Sequence, residues 1–407
     1  MKSKVLFYSI LLTLVATFLP AMHAQTFNVI HTFTGGVGGA YPSAGVTIRG
    51  NALYGPTGNG YQVGGTVYQL THSGSNWLFS TLAPTYPYYG PMARVVFGPD
   101  GHLYGTALWS RWSNGGGVFK LTPQVGPCRD VACYWTVTDL HEFHVYPDGY
   151  SPRFGELIWD KQGNIYDTTY AGGTYSYGAV YEMTPSGNGY TESVLYSFSG
   201  GADGGGPLAG LVLDQQGNLF GTTEGGGANG DGTIFELTYV PGVGWTEKVL
   251  YSFHGLGDGY GPDGTLIFDA TGNLYGTTQY GGSSNYGGTV FELSPSGNYW
   301  TFKLLYSFPG DCGGPAASLT MDGAGNLYGS TSCSGMHSKG SVFKLSNTQN
   351  GWVYTSLHDF TGGSDGAVPI SNVSIDTDGT LYGTANQGGN LNCNNGSGCG
   401  TVWMIKP

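Results

Sequence analysis

The sequence predicts an all-β protein built as a single seven-bladed β-propeller with four antiparallel strands in each blade. A unit of about 54 residues recurs along the chain. Glycine accounts for 74 of the 407 residues and charged residues for only 10%, whereas aromatic residues reach 14%. Each unit contains four short runs of alternating apolar and polar residues separated by glycine-rich turns. Four strands per unit of this length, repeated in a ring, are typical of a propeller.

The first 24 residues are expected to be a Sec-type signal peptide, with an uncleaved anchor as the alternative. Lys2 and Lys4 precede an apolar stretch over 5–20, and AMHA at 21–24 offers a cleavage point after Ala24. The stretch is too short to indicate a membrane span. We therefore expect an exported protein (secreted, periplasmic or at the cell surface) whose propeller comprises residues 25–407.

The repeat is marked by the residue that precedes glycine in the motif YGT. In chain order these residues are Tyr54, Tyr104, Tyr166, Phe220, Tyr275, Tyr328 and Tyr382. The seven copies predict seven blades. In the third copy Asp167 replaces the motif glycine.

The fourth copy shows the four strands most clearly. Period-two alternation predicts strands over Leu208–Asp214, Asn218–Thr223, Thr233–Thr238 and Trp245–Phe253. The seventh copy stops after its third strand, and Thr26–Phe33 resembles a fourth strand. We expect this amino-terminal strand to complete the last blade and to close the ring, because closure removes an exposed edge.

The turns divide between two faces. Short turns such as QQGN join the first strand to the second or the third to the fourth, which places them on a lower face. The long glycine-rich loops all lie on the opposite, upper face. Long loops on a rigid scaffold commonly carry function, so the upper face is where we expect a site.

The six cysteines predict three disulfides within loops. An even number of cysteines suits an oxidising compartment, and the spacing does not fit a CxxC zinc site. The expected pairs are Cys128–Cys133, Cys312–Cys333 and Cys393–Cys399.

The charge balance excludes one class of partner. The formal net charge is −12, from 14 basic and 26 acidic residues. Binding to nucleic acid or to anionic membranes needs a basic surface. We therefore expect no nucleic-acid partner. No second apolar run follows the leader, so we expect no integral membrane segment after signal cleavage. The protein is expected to be a monomer.

The repeat resembles a known family. The string LYGTT-x-GG, followed by GTVFELSPSG, LLYSF and GNLYGTT, is similar to the tandem repeat of Gloeobacter and Verrucomicrobium proteins (the GloVer repeat). The likeness is best over 205–308 and weakest over 84–160. It implies an exported bacterial β-propeller and does not imply an activity.

Two charged residues stand out in a ring of equivalent first-strand positions. The ring consists of Gly45, Arg94, Glu156, Gly210, Thr265, Ser318 and Asn372. First strands surround the central channel of a propeller. Arg94 and Glu156 fall on adjacent blades with opposite charge, so they predict either a structural ion pair, which we favour, or a polar anchor for a ligand.

The upper loops of blades 1 to 3 are unusually aromatic. Tyrosine and tryptophan offer broad faces with a polar edge, which suits the C–H faces of sugar rings. A protein partner or simple loop packing are the alternatives. The candidate glycan-binding residues are Tyr88, Tyr89, Arg94, Trp109, Arg111, Trp112, Tyr150, Arg153, Glu156, Tyr175 and Tyr177.

Signals for an enzyme are weak. The motifs HExxH and the phosphate loop are absent. The segment HEFH at 141–144 lies in a predicted strand, where side-chain alternation argues against convergence of its three polar residues. Arg94, Glu156 and Asp167 are the weak catalytic candidates for a polysaccharide lyase or glycoside hydrolase. A structural or protein-binding component of the cell envelope is a third hypothesis.

No cofactor is predicted, with calcium as the alternative in the upper loops. Asp203, Asp258 and Asp365 each precede glycine. An Asp-Gly turn explains them most simply. A carboxylate among backbone carbonyls is also a hard oxygen ligand, although one carboxylate per loop is few for calcium.

Overall fold

The computed structural model confirms an all-β chain arranged as seven four-stranded antiparallel sheets around a ring. The residues it describes are 25–58, 64–85, 88–110, 115–124, 134–144, 148–187, 189–310 and 312–406, with only the backbone at 88–89. The predicted signal peptide lies outside the described residues, as do Arg111, Trp112, Cys128 and Cys133. Among the described residues, no helix has the length and apolarity needed to cross a membrane.

Blades 1 to 6 take their strands in chain order from the channel outward, and blade 7 takes its outermost strand from the amino end. In blades 1 to 4 the strands are Thr47–Arg49, Ala52–Thr57, Thr66–Ser73, Asn76–Pro84; Val96–Phe97, Leu103–Ala107, Gly117–Thr122, Thr136–Glu142; Ile158–Trp159, Ile165–Thr169, Ala179–Ser186, Gly189–Ser197; and Val212–Leu213, Leu219–Thr223, Thr233–Val240, Gly244–Ser252. In blades 5 to 7 they are Ile267–Phe268, Leu274–Thr278, Thr289–Ser296, Tyr299–Ser307; Thr320–Met321, Leu327–Thr331, Ser341–Thr348, Gly351–Asp359; and Ser374–Ile375, Leu381–Ala385, Thr401–Lys406, Thr26–Thr32.

Four further short elements lie in the upper loops. Two are strand pairs, and two are single 3-10 turns. They are Tyr88–Tyr89 with Trp109–Ser110, Gly149–Tyr150 with Ala171–Gly172, Gly36–Gly38, and Asn394–Gly396.

The amino-terminal strand closes the ring as predicted. Thr26–Thr32 runs antiparallel to Thr401–Lys406, with Thr26 opposite Lys406 and Thr32 opposite Thr401. Blade 7 therefore joins the two ends of the described chain. This pairing gives the last blade the same four strands as the others.

The first strands are shorter than the sequence predicts. In blade 4 only Val212–Leu213 pairs with the second strand. The residues just before it bond to neighbouring blades instead: the Leu208 carbonyl accepts from the Phe154 amide at 3.0 Å, and the Ala209 carbonyl accepts from the Thr168 hydroxyl at 2.7 Å. This segment therefore connects blades around the channel and leaves its own ladder.

The motif glycine allows close packing within each blade. A Cβ placed on Gly221 would lie 2.6 Å from the ring of Phe235 on the third strand. Gly276 stands in the same relation to Phe291, at 2.5 Å. Because real Cβ contacts are not this short, only glycine lets the buried ring lie flat on the second strand.

The fourth strand carries a bulge in every blade. In blade 4 Ile234 lies opposite Tyr251 while Phe235 lies opposite Val249, so Leu250 is the extra residue. The same shift occurs at the equivalent place in the other six sheets. A bulge changes the side to which the following residues point. It therefore breaks the simple alternation expected near the end of the fourth strand.

Two predicted disulfides lie within the described residues. Cys312 is bonded to Cys333, and Cys393 is bonded to Cys399. Cys312 and Cys333 tie the loop that enters blade 6 to the loop between its second and third strands, both on the upper face.

Candidate functional site

The ring of first-strand positions forms a hydrogen-bonded belt around the channel. The Gly210 amide donates to the Thr265 hydroxyl at 3.0 Å. The Thr265 amide donates to the Ser318 hydroxyl at 2.9 Å. The Ser318 amide donates to the Asn372 side-chain carbonyl at 3.0 Å. Polar side chains at this level thus link blades 4, 5, 6 and 7.

Charged residues complete the belt. Arg94 and Glu156 form an ion pair at 2.6 Å, with side chains 27% and 15% exposed. Arg94 also donates to the Ser374 hydroxyl at 3.2 Å, and the Asn372 amide donates to the other Glu156 oxygen. Glu156 of blade 3 is thereby joined to blade 7, nearly opposite it in the ring. The belt therefore spans the channel, and its two charges are partnered.

Two glycines in the ring allow this closure. A Cβ on Gly45 would lie 2.5 Å from the Asn372 carbonyl oxygen. A Cβ on Gly210 would lie 2.7 Å from the Glu156 amide nitrogen. A side chain at either position would push the neighbouring blades apart. The polar side chains of the ring could then no longer bridge those blades.

The belt separates two spaces in the channel. Below it lies an open funnel of about 690 Å³, whose lining includes Arg49, Phe97 and Thr320. Above it lies a much smaller space bordered by Phe154 and Asp263. Arg94 reaches both spaces.

Asp167 lies in the core of blade 3 and not on a cleft. It is fully buried, and neither carboxyl oxygen has a hydrogen-bond partner among the described residues. Burial raises its pKa to about 8, and the charge of Glu156 adds to the rise. Asp167 therefore carries a proton at neutral pH. The third-strand residue opposite it is Tyr181, where blades 4 and 5 have phenylalanine.

A groove of about 430 Å³ lies on the upper face at the seam of blades 3 and 4. Its walls include Tyr170, Tyr177 and Glu224. The backbone pair of Gly205 and Gly225 forms its floor, with the Gly205 amide donating to the Gly225 carbonyl at 2.9 Å. The groove thus combines two aromatic side chains and one carboxylate above a hydrogen-bonded glycine floor.

Buried charges stand beside this groove. The Arg153 guanidinium lies 4.0 Å from the centre of the Tyr170 ring. Burial raises the pKa of Tyr170, and the charge of Glu224 raises it further. Burial also raises the pKa of Asp263 to about 8, with Glu224 adding to the rise and Arg153 opposing it. Asp263 is therefore protonated at neutral pH.

The predicted glycan-binding residues do not share one cleft. Arg94 and Glu156 lie in the channel belt. Trp109, Tyr175 and Tyr177 are more than half exposed on the upper face, whereas Tyr150 packs against the apolar core between blades 2 and 3. Among the described side chains of this set, Tyr177 borders the groove and Arg153 packs on Tyr170 beside it.

Sequence reasoning missed Glu224, Asp263 and Tyr170 as a group. They belong to three different blades, and none departs from the repeat in a way that points to a ligand. Their common signal is position: each lies in or beside a long upper loop.

The aspartates considered for calcium are used by their own turns. Asp203 accepts from the Ser199 amide at 2.8 Å and from the Tyr196 hydroxyl at 3.1 Å. Asp258 and Asp365 make the equivalent bonds. Their partners are the His254 amide with the Tyr251 hydroxyl, and the Thr361 amide with the His358 ring. These bonds explain the Asp-Gly turns without a metal ion.

Solved structures with a similar fold come from several kinds of protein. The periplasmic gluconolactonase of Pseudomonas aeruginosa is 15% identical with a TM-score of 0.54, covering 82% of this chain and 92% of that one. An ulvan lyase of polysaccharide lyase family 25 is 10% identical with a TM-score of 0.53, covering 89% and 93%. An ancestral GH74 enzyme is 11% identical with a TM-score of 0.57, covering 90% of this chain and 48% of that one. At these identities the likeness shows the fold alone.

The sequence itself matches a repeat family. No curated protein matches the chain. The model of the Gloeobacter/Verrucomicrobia repeat matches residues 16–191 and 152–403, which together span nearly all of the propeller. The chain therefore belongs to the Gloeobacter/Verrucomicrobia repeat family.

Proposed function

We propose that this protein is an exported recognition module that binds a glycan on its upper face, in the groove at the seam of blades 3 and 4. The observation that carries the proposal is the composition of that groove. Tyr170 and Tyr177 supply ring faces, and Glu224 supplies a hydrogen-bond acceptor. Sugars need this combination of apolar faces and directed polar partners.

Exposed aromatic side chains extend this surface. Tyr177 borders the groove, Tyr175 lies in the same loop, and Trp109 lies farther along the upper face in blade 2. A polymeric glycan would contact both regions. The similar folds of the ulvan lyase, the gluconolactonase and the GH74 enzyme support a role with carbohydrates, as an analogy of fold.

A glycan array, followed by titration of the retained glycans, tests the proposal. We expect Tyr177→Ala and Glu224→Gln each to weaken binding about tenfold, which corresponds to ~1.4 kcal/mol. Tyr299→Ala is the matched control, since Tyr299 is 80% exposed at the start of the fourth strand of blade 5, on the lower face. Equal retention by all three variants, or no retention by the unaltered protein, would contradict the proposal.

Glycoside hydrolysis in the same region is the second candidate function. It is favoured by Asp263, a protonated carboxyl whose charge state depends on the nearby Glu224. A general acid beside a second carboxylate is the arrangement that hydrolysis uses. A lyase that uses Tyr170 as its base is less well supported, because the pKa of Tyr170 is raised.

Product chemistry separates these activities. Hydrolysis would release reducing ends that Asp263→Asn abolishes, whereas a lyase would produce unsaturated uronate absorbance. Binding without either product supports the recognition module.

A further inference from the structure

Neighbouring blades meet at their outer strands through a recurring pair of side chains. In one blade the contact residue lies two positions before the phenylalanine that follows the fourth strand, as Tyr251 does in blade 4. In the next blade the contact residue lies four positions before the equivalent of Tyr251, as Phe302 does in blade 5. In four seams these are stacked rings: Tyr251 on Phe302 at 4.4 Å, Tyr306 on Tyr354 at 4.7 Å, His358 on Phe27 at 3.6 Å, and His31 on Phe79 at 4.1 Å.

Two seams replace the second ring with a carboxylate. Glu192 occupies this position between blades 2 and 3, facing His141, and Glu247 occupies it between blades 3 and 4, near Tyr196. Both glutamates are half-buried, and each has an oxygen without a hydrogen-bond partner among the described residues. Elsewhere, four seams hold stacked rings. An unpaired carboxylate charge in such a seam destabilises the folded protein unless a positive charge compensates it.

The seam of blades 2 and 3 also gathers an imidazole and a second carboxylate. The Nε2 atom of His141 lies 3.6 Å from an oxygen of Asp148. One ligand atom each from His141, Asp148 and Glu192 can be chosen so that all lie within 4.8 Å of one another. Asp148 occupies the turn position that Asp203 and Asp258 hold in later blades.

Alternation along a strand did not predict this cluster, because the fourth strand ends at Glu142 and His144 lies beyond it. His141 and His144 both approach Asp148, at 3.6 and 3.9 Å. Glu142 does not join them, since its carboxylate accepts from the Ser110 hydroxyl. The three polar residues of HEFH therefore do not all converge, although the two histidines do.

Two polar atoms of the cluster make no hydrogen bond within the fold. Nε2 of His141 and Oε1 of Glu192 are buried, with no hydrogen-bond partner in the described parts of the chain. Asp148 and Glu192 thus bring two carboxylates together beside one imidazole.

We propose that His141, Asp148 and Glu192 bind a divalent transition-metal ion of the zinc type. One imidazole nitrogen and two carboxylates supply three ligands and balance the charge of the ion. Such sites keep a fourth position open for water or another ligand. Ligand atoms in a tetrahedral zinc site are about 3.3 Å apart, close to the 3.6 Å between His141 and Asp148. Calcium prefers oxygen ligands alone and fits this set less well.

The next seam is an internal control. There Tyr196 stands in place of histidine, and its hydroxyl donates to Asp203 at 3.1 Å. Glu247 and Asp203 are present, but the imidazole is missing. The proposal therefore predicts a metal site at one seam and none at the other.

The test is calorimetric titration of the untagged, chelator-treated protein with Zn²⁺, and separately with Ca²⁺. We expect one zinc ion per chain and at least a tenfold loss of affinity in Glu192→Phe and in His141→Tyr. Glu192→Phe restores the ring found in other seams, so the variant is expected to fold. Glu247→Phe makes the same change in the control seam and is expected to bind zinc normally. Absence of zinc uptake, equal affinity in Glu192→Phe, or a site that prefers calcium would overturn the proposal.

Discussion

Replacing Asp167 by asparagine is expected to stabilise the protein, increasingly so as the pH rises. Asp167 is fully buried, and burial raises its pKa from 3.8 to about 8. Below pH 3.8 the carboxyl is protonated in both the folded and the unfolded chain. Between pH 3.8 and 8 the unfolded chain releases this proton while the folded chain keeps it, so stability falls as the pH rises.

The magnitude follows from the shift, because one pKa unit corresponds to about 1.4 kcal/mol. The penalty is about 2 kcal/mol at pH 5 and about 4 kcal/mol at pH 7 for the pKa of about 8. Asparagine has nearly the same shape and does not titrate in this range. Its advantage over aspartate is therefore expected to grow by about 2 to 3 kcal/mol between pH 5 and pH 7.

Urea unfolding of both proteins at pH 5, 6 and 7 measures this difference. Asp263 has a similarly raised pKa, so it contributes its own pH dependence to both proteins and cancels in the comparison. A difference in unfolding free energy that stays constant over this range would refute the inference that Asp167 is protonated in the folded state.

Three further changes test the architecture. Glu156→Gln removes the charge that pairs with Arg94 and is expected to cost about 2 kcal/mol, less than a fully buried pair because the site is partly exposed; denaturant unfolding measures this, and an unchanged midpoint would contradict it. Gly221→Ala forces a Cβ to within 2.6 Å of the Phe235 ring and is expected to cost about 1 to 3 kcal/mol, whereas Gly323→Ala meets nothing within 4 Å and is the neutral control. Deletion of 26–32 leaves blade 7 with an open edge, so the variant is expected to aggregate or unfold at lower temperature in light-scattering and thermal melts; a monomer of normal stability would contradict the role of this strand.

The repeat made the ring predictable, because every copy carries the same turn and motif signals. The seven registers and the closing strand followed from spacing alone. The belt also followed, since equivalent positions in equivalent strands must lie at one level of the channel. The contacts across the channel could not be predicted, because the spacing of the repeats does not show that Asn372 contacts Glu156.

Local irregularity limited the prediction of the sites. The fourth strand of blade 2 ends at Glu142, so the alternation on which the interpretation of HEFH depended does not extend to His144. The groove at blades 3 and 4 depends on loop conformation, since Gly205 and Gly225 must pair before Tyr170 and Glu224 can border one space. Asp167 stood out in the sequence because it replaces a motif glycine. The repeat pattern does not show, however, that its side chain is buried.

The closing strand also has a consequence for how the molecule is made. Synthesis proceeds from the amino end, so Thr26–Thr32 emerges before any blade exists, whereas its partner Thr401–Lys406 emerges only after blades 1 to 6. Each of blades 1 to 6 can acquire its own four strands as soon as it has been synthesised. Blade 7 alone must wait for two distant segments to meet, and such non-local pairing is slow. The final, rate-determining event of folding is therefore expected to be the meeting of these two strands.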